Sequence, residues 1–444
     1  MTRVKKAGAI AATKAGLVVP CAAALVALCA AALPANAAPA ARSAAPAVRS
    51  AAPAARTTTA ARTTATTAAA QVCPGVGAPT ISRVTPDTTM NTMFNDYAED
   101  VSQFDHWTGA DGTYSAALPG QRELWIFSDT FLGTVNPDGT RSPTTSDGGT
   151  TPFINNSFVE QPAGDSSYQD LTTINGGTAA SPTALMPPPD ASHWYWAGDA
   201  LADGGQLQAV YQEYGRYGTG TYDWKWTGNV VASYSLRNLH TPVSVKAMPS
   251  GTDVAWGVWL MRAAPYTYVY GVEDLGANKY LHVARILGDD LATGRYQYYA
   301  GTDAAGHPVW SADESDSIRL PDPTATDGDV HVANEFSVSR VGQVYVLITQ
   351  QTATFSADID AYYSCSPYGP FVDPAVVYTE PEMGHGGVNG DDANVYTYNA
   401  HAHPEVSDHG ALLISYNVNS FVNTDLYSDA SIYRPRFIDV TFGH

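Results

Sequence analysis

The sequence predicts an all-β body folded as a five-bladed β-propeller, and three observations predict it. Helical periodicity is nearly absent, whereas Tyr, Trp, Val and Thr abound in short alternating runs separated by Gly, Pro, Asp and Asn. Five apolar runs end in a small or polar pair, Trp125–Asp129, Tyr195–Asp199, Tyr268–Val272, Leu347–Gln351 and Leu413–Asn417, with last residues 70, 73, 79 and 66 apart. Another strand precedes each at a nearly fixed offset. Asp111 and Ser181 stand 18 residues before Asp129 and Asp199; Trp256, Glu335 and His401 stand 16 before Val272, Gln351 and Asn417. Units of this length suit blades of four strands, the first facing the channel and the second lying behind it. A large β-sandwich is the rival architecture, but so long a repeat is less natural there. The closing run Ser431–Phe442 is expected to complete the last blade.

The stretch Trp107–Thr130 shows the unit most clearly. Gly-Ala-Asp-Gly is turn material, Tyr114 to Leu118 alternates as a strand, Pro-Gly-Gln-Arg turns the chain, and Glu123 to Phe127 runs as a buried strand into Ser128-Asp129. Asp111 opens the first strand and Asp129 closes the second, where a scaffold hands side chains to a site.

Residues 1–37 read as a signal peptide. Arg3, Lys5 and Lys6 form a basic start, an apolar run extends from Gly16 to Leu33, and Ala35-Asn36-Ala37 offers a cleavage site. There is no twin arginine, and Leu28 precedes Cys29 where a lipobox needs a small residue. No other run is long enough to span a bilayer, so a secreted, extracellular protein is expected. Residues 38–72, rich in Ala, Pro and Thr, cannot bury enough surface to offset their ordering entropy and read as a disordered linker. Residues 73–444 form the propeller domain.

That domain carries 15 of the 23 basic residues and all 43 acidic ones, a net charge of −28. So acidic a surface repels phosphate backbones and excludes nucleic acid as a partner. Once Cys21 and Cys29 leave with the signal, Cys73 and Cys365 remain; in an oxidising compartment they are expected to form a disulfide. A monomer is expected.

The first strands offer a ring at one depth: Asp111, Ser181, Trp256, Glu335 and His401, with Asp129, Asp199, Gln351 and Asn417 behind. A channel mouth gathering one side chain per blade is concave by construction. Two carboxylates, an imidazole and an indole suit glycoside cleavage, which needs one carboxyl protonated and another ionised. Asp111 is read as base, Glu335 as acid, and Asp129 as the residue that sets or orients Asp111. Their blades are not neighbours, which favours room for a water and hence inversion. Trp256, His401, Asn156 and Ser181 are read as substrate-binding. Each aspartate beside Gly or Thr has a competing role as a turn cap, and Asp199 is assigned that role. Glu273-Asp274 is the alternative acid. His401, His403 and Glu405 gather ligand types, but spacing fixes no third metal ligand, and no metal site is assigned. No cofactor is required, and the channel is compatible with a structural calcium or sodium ion.

The motifs GADGTYS…LWIFSDTFLG, NNSFV, YVYG…HVAR, NEFSV, SPYGPF and YNAHAHPEVS…LLISYNVN, over about residues 90–442, resemble secreted bacterial propellers long filed as domains of unknown function. Some of these are classed as endo-D-arabinanases of glycoside hydrolase family 183; the family 43 hydrolases are more distantly similar. The resemblance implies acidic catalysis at the channel mouth on a furanose polysaccharide, with Asp111, Asp129 and Glu335 at the matching positions. Ser181 and Trp256 depart from the three-acid pattern of family 43. The leading expectation is therefore a polysaccharide-cleaving glycoside hydrolase. A non-catalytic carbohydrate- or wall-binding propeller is the alternative, and a metal-dependent lyase or phosphate-ester enzyme a third.

Overall fold

Among the described residues, five large antiparallel sheets follow one another along the chain beside two smaller ones, and in the first four the strands pair in sequence order. A computed structural model describes residues 78–443 apart from 101–103, 164–166, 221–222, 352–355, 386–390 and 409. The expected signal peptide and linker, and Cys73 with its expected disulfide to Cys365, lie outside the described residues.

Sheet one comprises Tyr114–Leu118, Arg122–Phe127, Ser157–Gln161 and Thr172–Ile174; sheet two comprises His193–Asp203, Gln206–Arg216, Trp224–Ser235 and Asn238–Ala247. Sheet three has five strands, Val254–Ala263, Tyr266–Asp274, Lys279–Leu287, Gln297–Thr302 and Pro308–Ser311. Sheet four comprises Phe336–Val341, Val344–Gln350, Asp358–Ser364 and Val372–Thr379. Sheet five runs Val395–Ala402, Ala411–Ser420 and Pro435–Gly443, and then takes Thr80–Pro86 from the other end of the described chain as its outer strand. The protein is thus all-β in its body.

Side chains pin each first strand or its edge to the next sheet. Ser128 Oγ accepts from Ala197 N at 3.0 Å, joining sheets one and two. Asp199 Oδ2 accepts from Leu260 N at 2.7 Å, and Trp259 Nε1 donates to Val338 O at 2.8 Å. Ser337 Oγ accepts from Ala402 N at 2.8 Å, and His403 Nδ1 meets Ser115 Oγ at 2.7 Å, which joins sheet five to sheet one. Buried polar atoms inside an apolar core are costly unless paired, so these pins fix the order and register of the sheets.

Three first strands carry the same interruption. Register shifts between Ala197 and Ala200, Trp256 and Trp259, and Tyr398 and His401. Gly257 (φ 81°) and Asn399 (φ 61°) occupy two of these bulges in the left-handed region. A bulge re-aims the side chains that follow it. That matters for the site.

Two expectations need correction. Tyr195–Asp199 lies on the first strand of sheet two, whereas the other four marker runs belong to second strands. Ser181 therefore belongs to none of the five sheets: it sits exposed in a short hairpin with Gly176–Thr178. The closing strand begins only at Pro435 and is the third of its sheet, not the last. Sequence periodicity also missed one helix, α1 (Thr88–Glu99), capped by the Asp87 side chain on Met90 N. It buries Met93, Phe94, Tyr97 and Ala98 against Trp107, Trp125, Phe127 and Phe437.

The terminal pairing makes a prediction. Thr80–Pro86 matches Pro435–Gly443 from Thr80↔Gly443 to Pro86↔Ile438. A chain starting at Asp87 should melt lower than one starting at Ala78, by about 2–4 kcal/mol, because a covered strand becomes an edge. Equal melting of the two would show that the strand adds nothing.

Candidate active site

Asp111 stands at the turn between the short strand Trp107–Ala110 and sheet one. Its carbonyl accepts from Ser128 N at 2.8 Å and its N–H donates to Asp129 O at 3.2 Å, so the two acids share one hairpin end. The turn needs glycine next: Gly112 has φ 83°, and a Cβ there would meet Ser128 N at 2.9 Å. Glu335 lies immediately before the first strand of sheet four.

Both carboxyls open into one cavity. Its walls are Asp111, Tyr114, Ser128, Trp196, Ala197, Gln212, Tyr214, Trp224, Asn334, Glu335 and Asn399, drawn from sheets one, two, four and five. No lysine, arginine or histidine is among these lining residues. A second cavity lies farther along the same first strands, lined by residues 115–117, 199–202, 259–262, 338–340 and 404–405. All five first strands or their immediate extensions thus contribute to the lining of this second cavity.

The environments of the acids differ. Asp111 Oδ2 accepts from Tyr398 and Tyr433 hydroxyls at 2.6 and 2.7 Å, while buried Oδ1 has no hydrogen-bond partner in the protein. Burial pushes this carboxyl up to about 6, and the two phenols restrain the rise. Glu335 Oε1 accepts from Asn399 Nδ2 at 3.0 Å, and buried Oε2 has no hydrogen-bond partner in the protein. Burial first, and the Asp111 charge second, hold Glu335 well above the ordinary carboxylate range. Asp129 is 1% exposed, does not line the cavity, and accepts on Oδ1 from Asn155 Nδ2 and Trp196 Nε1, both at 2.9 Å. Burial and then the Asp111 charge hold it well above the ordinary range too.

The other residues singled out in the sequence fall elsewhere. His401 is fully buried beneath the cavity, stacked on Tyr114 at 4.5 Å, with ring nitrogens 3.0 Å from Asn399 O and 3.1 Å from Thr113 O. Its Nδ1 lies 3.7 Å from Glu335 Oε2, but burial pushes the imidazole down to about 4, so it is neutral at neutral pH. It supports the floor and has no lining surface, a correction to its assignment as substrate-binding. Trp256 is corrected likewise: fully buried, it donates from Nε1 to Glu314 Oε1 at 3.0 Å and packs against Tyr298. Asn156 uses its side chain to satisfy backbone, donating to Met186 O and Tyr195 O and accepting from Met186 N. Ser181 is in its distant hairpin. Asp199 accepts from Ala200 N and Leu260 N, both at 2.7 Å, from within the strand His193–Asp203 and not at the turn expected of it. Among the described residues, His403 bridges Ser115 and Ser415, and Glu405 accepts from Ser115, a hydrogen-bonded network in place of a ligand set.

Sheet two contributes what sequence reasoning did not single out. Trp196, Tyr214 and Trp224 form an aromatic wall, with ring centroids 4.4 Å (Trp196–Tyr214), 5.1 Å (Trp196–Trp224) and 5.4 Å (Tyr214–Trp224) apart. The density of Trp and Tyr in His193–Arg216 was visible, but not which rings reach the cavity. Such a surface suits the apolar face of a neutral sugar ring. Trp224→Ala should weaken oligosaccharide binding by roughly five- to thirtyfold, about 1–2 kcal/mol, in calorimetric titration. Unchanged affinity would remove the wall from the site.

The fold and site define an all-β protein with an acidic, aromatic-walled cavity lined from four of its sheets. The chain belongs to the family described as Domain of unknown function (DUF5005), whose model matches residues 91–442. Among solved structures it is similar to "a putative hydrolase from Bacteroides ovatus ATCC 8483", at 23% identity and TM-score 0.64, over 80% of this chain and 90% of that one. At that identity the likeness is one of fold. It also matches a GH43_1 enzyme from Xanthomonas citri (14% identity, TM-score 0.40, 79% of this chain and 93% of that). A third match is an exo-1,5-alpha-L-arabinanase from a bovine ruminal metagenomic library (10% identity, TM-score 0.39, 78% and 99%). No curated protein matches the chain.

Proposed function

We propose that the protein is a secreted, five-bladed β-propeller glycoside hydrolase that cleaves a furanose-containing polysaccharide of the arabinan or D-arabinan type with inversion. The observation that carries this is the pair Asp111 and Glu335: both residues line the same cavity, each keeps one carboxyl oxygen without a hydrogen-bond partner in the protein, and their surroundings favour opposite protonation states near neutral pH. Separating the affinities of two nearby carboxyls for protons is what acid–base cleavage of a glycoside needs. Phenol donors favour the charged form of Asp111; burial first, and the nearby Asp111 charge second, leave Glu335 protonated. Asp111 Oδ1 takes a proton from water as the water oxygen bonds to the anomeric carbon. Glu335 gives its proton to the departing glycosidic oxygen. Asp129, held protonated by burial first and the Asp111 charge second, leaves the charge on Asp111. The chain supplies both proton steps, so the reaction calls for no cofactor, and a structural calcium or sodium ion would stand outside it.

The choice of a furanose polymer rests on the resemblance of the sequence motifs; the cavity itself supports a neutral glycan, because two lining carboxyls without a lining cation disfavour uronate or phosphate groups. The pH–rate profile should be a bell. Activity rises as Asp111 ionises near pH 6 and falls as Glu335 loses its proton at its raised value. A screen of arabinan, arabinogalactan, xylan and levan, read by product size and by the anomer first formed, tests substrate and stereochemistry together. Retention of the anomer would reject inversion. Binding without release of reducing ends would favour a carbohydrate-binding propeller, for which the aromatic wall would suffice.

A further inference from the structure

We infer that Tyr398 and Tyr433 are positioning residues for the proposed reaction: together they occupy Oδ2 of Asp111 and leave Oδ1 as the one oxygen free to take a proton. This rests on the reading of Asp111 as base. The two phenols come from different places, Tyr398 from the first strand of sheet five and Tyr433 from the turn that precedes its third strand. Both hydroxyls converge on the same oxygen, at 2.6 and 2.7 Å. At Tyr398 the direction of the bond is fixed. Asn419 Nδ2 donates to its hydroxyl oxygen at 3.2 Å, so the hydroxyl hydrogen goes to the carboxylate. Tyr433 donates in the same sense.

The surroundings give these two bonds their weight. From its own hairpin Asp111 faces Asp129, and from the edge of sheet four it faces Glu335, both acidic. Gly112 N is taken by Asn417 Oδ1 at 3.2 Å, and Thr113 Oγ1 by Asn417 Nδ2 at 2.9 Å, so sheet five meets this turn through a neutral amide as well as the Tyr398 phenol. The ion pairs among the described residues do not include Asp111; the buried Arg141 guanidinium nearby donates to Thr108 and to Ala430 O, and His401, beside Glu335, is neutral. Two phenolic dipoles are therefore the foremost groups that stabilise the charge of the base among other acids, ahead of the backbone N–H groups of Asp129 and Asp111. They also settle its geometry. A carboxylate with one oxygen doubly hydrogen-bonded cannot rotate that oxygen into the cavity without breaking both bonds, so the lone pairs of Oδ1 stay aimed at the water.

The test uses Tyr398→Phe, Tyr433→Phe and the double variant in the full secreted chain, with two independent readouts. In the pH profile on the polysaccharide that the wild type cleaves, the acidic limb should move up by about one pH unit per hydroxyl removed, since loss of a donor to the charged form raises its proton affinity. The maximal rate should fall while KM stays within about twofold, because neither phenol lines the cavity. The second readout needs no substrate: carbon-13 NMR of side-chain-labelled aspartate, with the Asp111 signal assigned by Asp111→Asn, follows the carboxyl directly through pH. It should titrate higher in both single variants and highest in the double. An Asp111 titration unmoved in a folded variant overturns the inference. Should one phenylalanine variant fail to fold, the other carries the same test. If the titration moves but no polysaccharide is cleaved by the wild type, the hydrolase reading fails while the role of the tyrosines stands.

Discussion

Asp111→Asn and Glu335→Gln should each lower kcat by roughly 10²–10⁴-fold and leave the fold intact. Both replacements keep shape and one hydrogen-bonding oxygen; what they delete is the capacity to take or give a proton. The structure adds a second expectation that an inert surface acid would not share. Asp111 in the folded chain is pushed from 3.8 up to about 6 by burial, so ionising it works against folding. The sign follows directly. A carboxyl with a raised folded-state value binds more protons folded than unfolded, so the stability it confers is full below about pH 4 and declines until about pH 6. At pH 8 the wild type bears that loss and the asparagine variant does not. Asp111→Asn should therefore melt higher by a few degrees at pH 8, with a gain of order 2 kcal/mol, and match the wild type near pH 4. Glu335→Gln should behave in the same direction. An inactive but more stable protein would be the mark of a site that stores destabilised charge for chemistry. Activity within tenfold of the wild type in either variant would remove that residue from the mechanism.

Strand alternation and turn residues are local, and for that reason the β content and the repeat of sheets were legible in the sequence. The phase of the repeat failed in sheet two. His193–Asp203 is an aromatic run ending like a second strand, and the additional strands and hairpin between Thr130 and Thr183 lengthen the chain ahead of it. Counting back from Asp199 then lands on Ser181, in an insertion. The partner of the last strand was illegible for a different reason. Thr80–Pro86 pairs with residues some 350 positions away, and no local pattern announces a pairing across the whole domain.

Within the candidate site, the residues next to glycine turns were readable, since Gly-Ala-Asp111-Gly allows one local geometry. Trp256 was not, because the bulge between it and Trp259 breaks the alternation that would say which face it takes. Helix α1 carried a signal that the strand-rich surroundings obscured: Asp87 as cap, then Met90, Phe94 and Tyr97 at helical spacing. The tyrosines on Asp111 carried none. They lie 287 and 322 residues from it, in segments whose own composition says only that they are buried.

The small residue two places before Asp111 shows how closely the ends of the chain are joined at the site. A Cβ on Gly109 would lie 2.2 Å from the carbonyl oxygen of Tyr433, and this is backbone that no rotamer change can move aside. The turn carrying Tyr433 is held from the other side as well: Arg141, itself buried, donates to Ala430 O at 2.8 Å and to Thr108 Oγ1 at 3.1 Å. Gly109→Ala must therefore displace one of two fixed backbones by about an ångström, at a cost of roughly 1–3 kcal/mol or more. The hydroxyl of Tyr433 is only 2.7 Å from Asp111, so the displacement should reach the carboxyl. We expect a lower melting temperature together with an acidic limb shifted upward, as in Tyr433→Phe. The pairing of effects is what discriminates: loss of packing alone lowers stability without moving the pH profile. A Gly109→Ala protein that melts and titrates like the wild type would show that the final turn does not approach the first strand as described, and the hydrogen bond from Tyr433 would go with it.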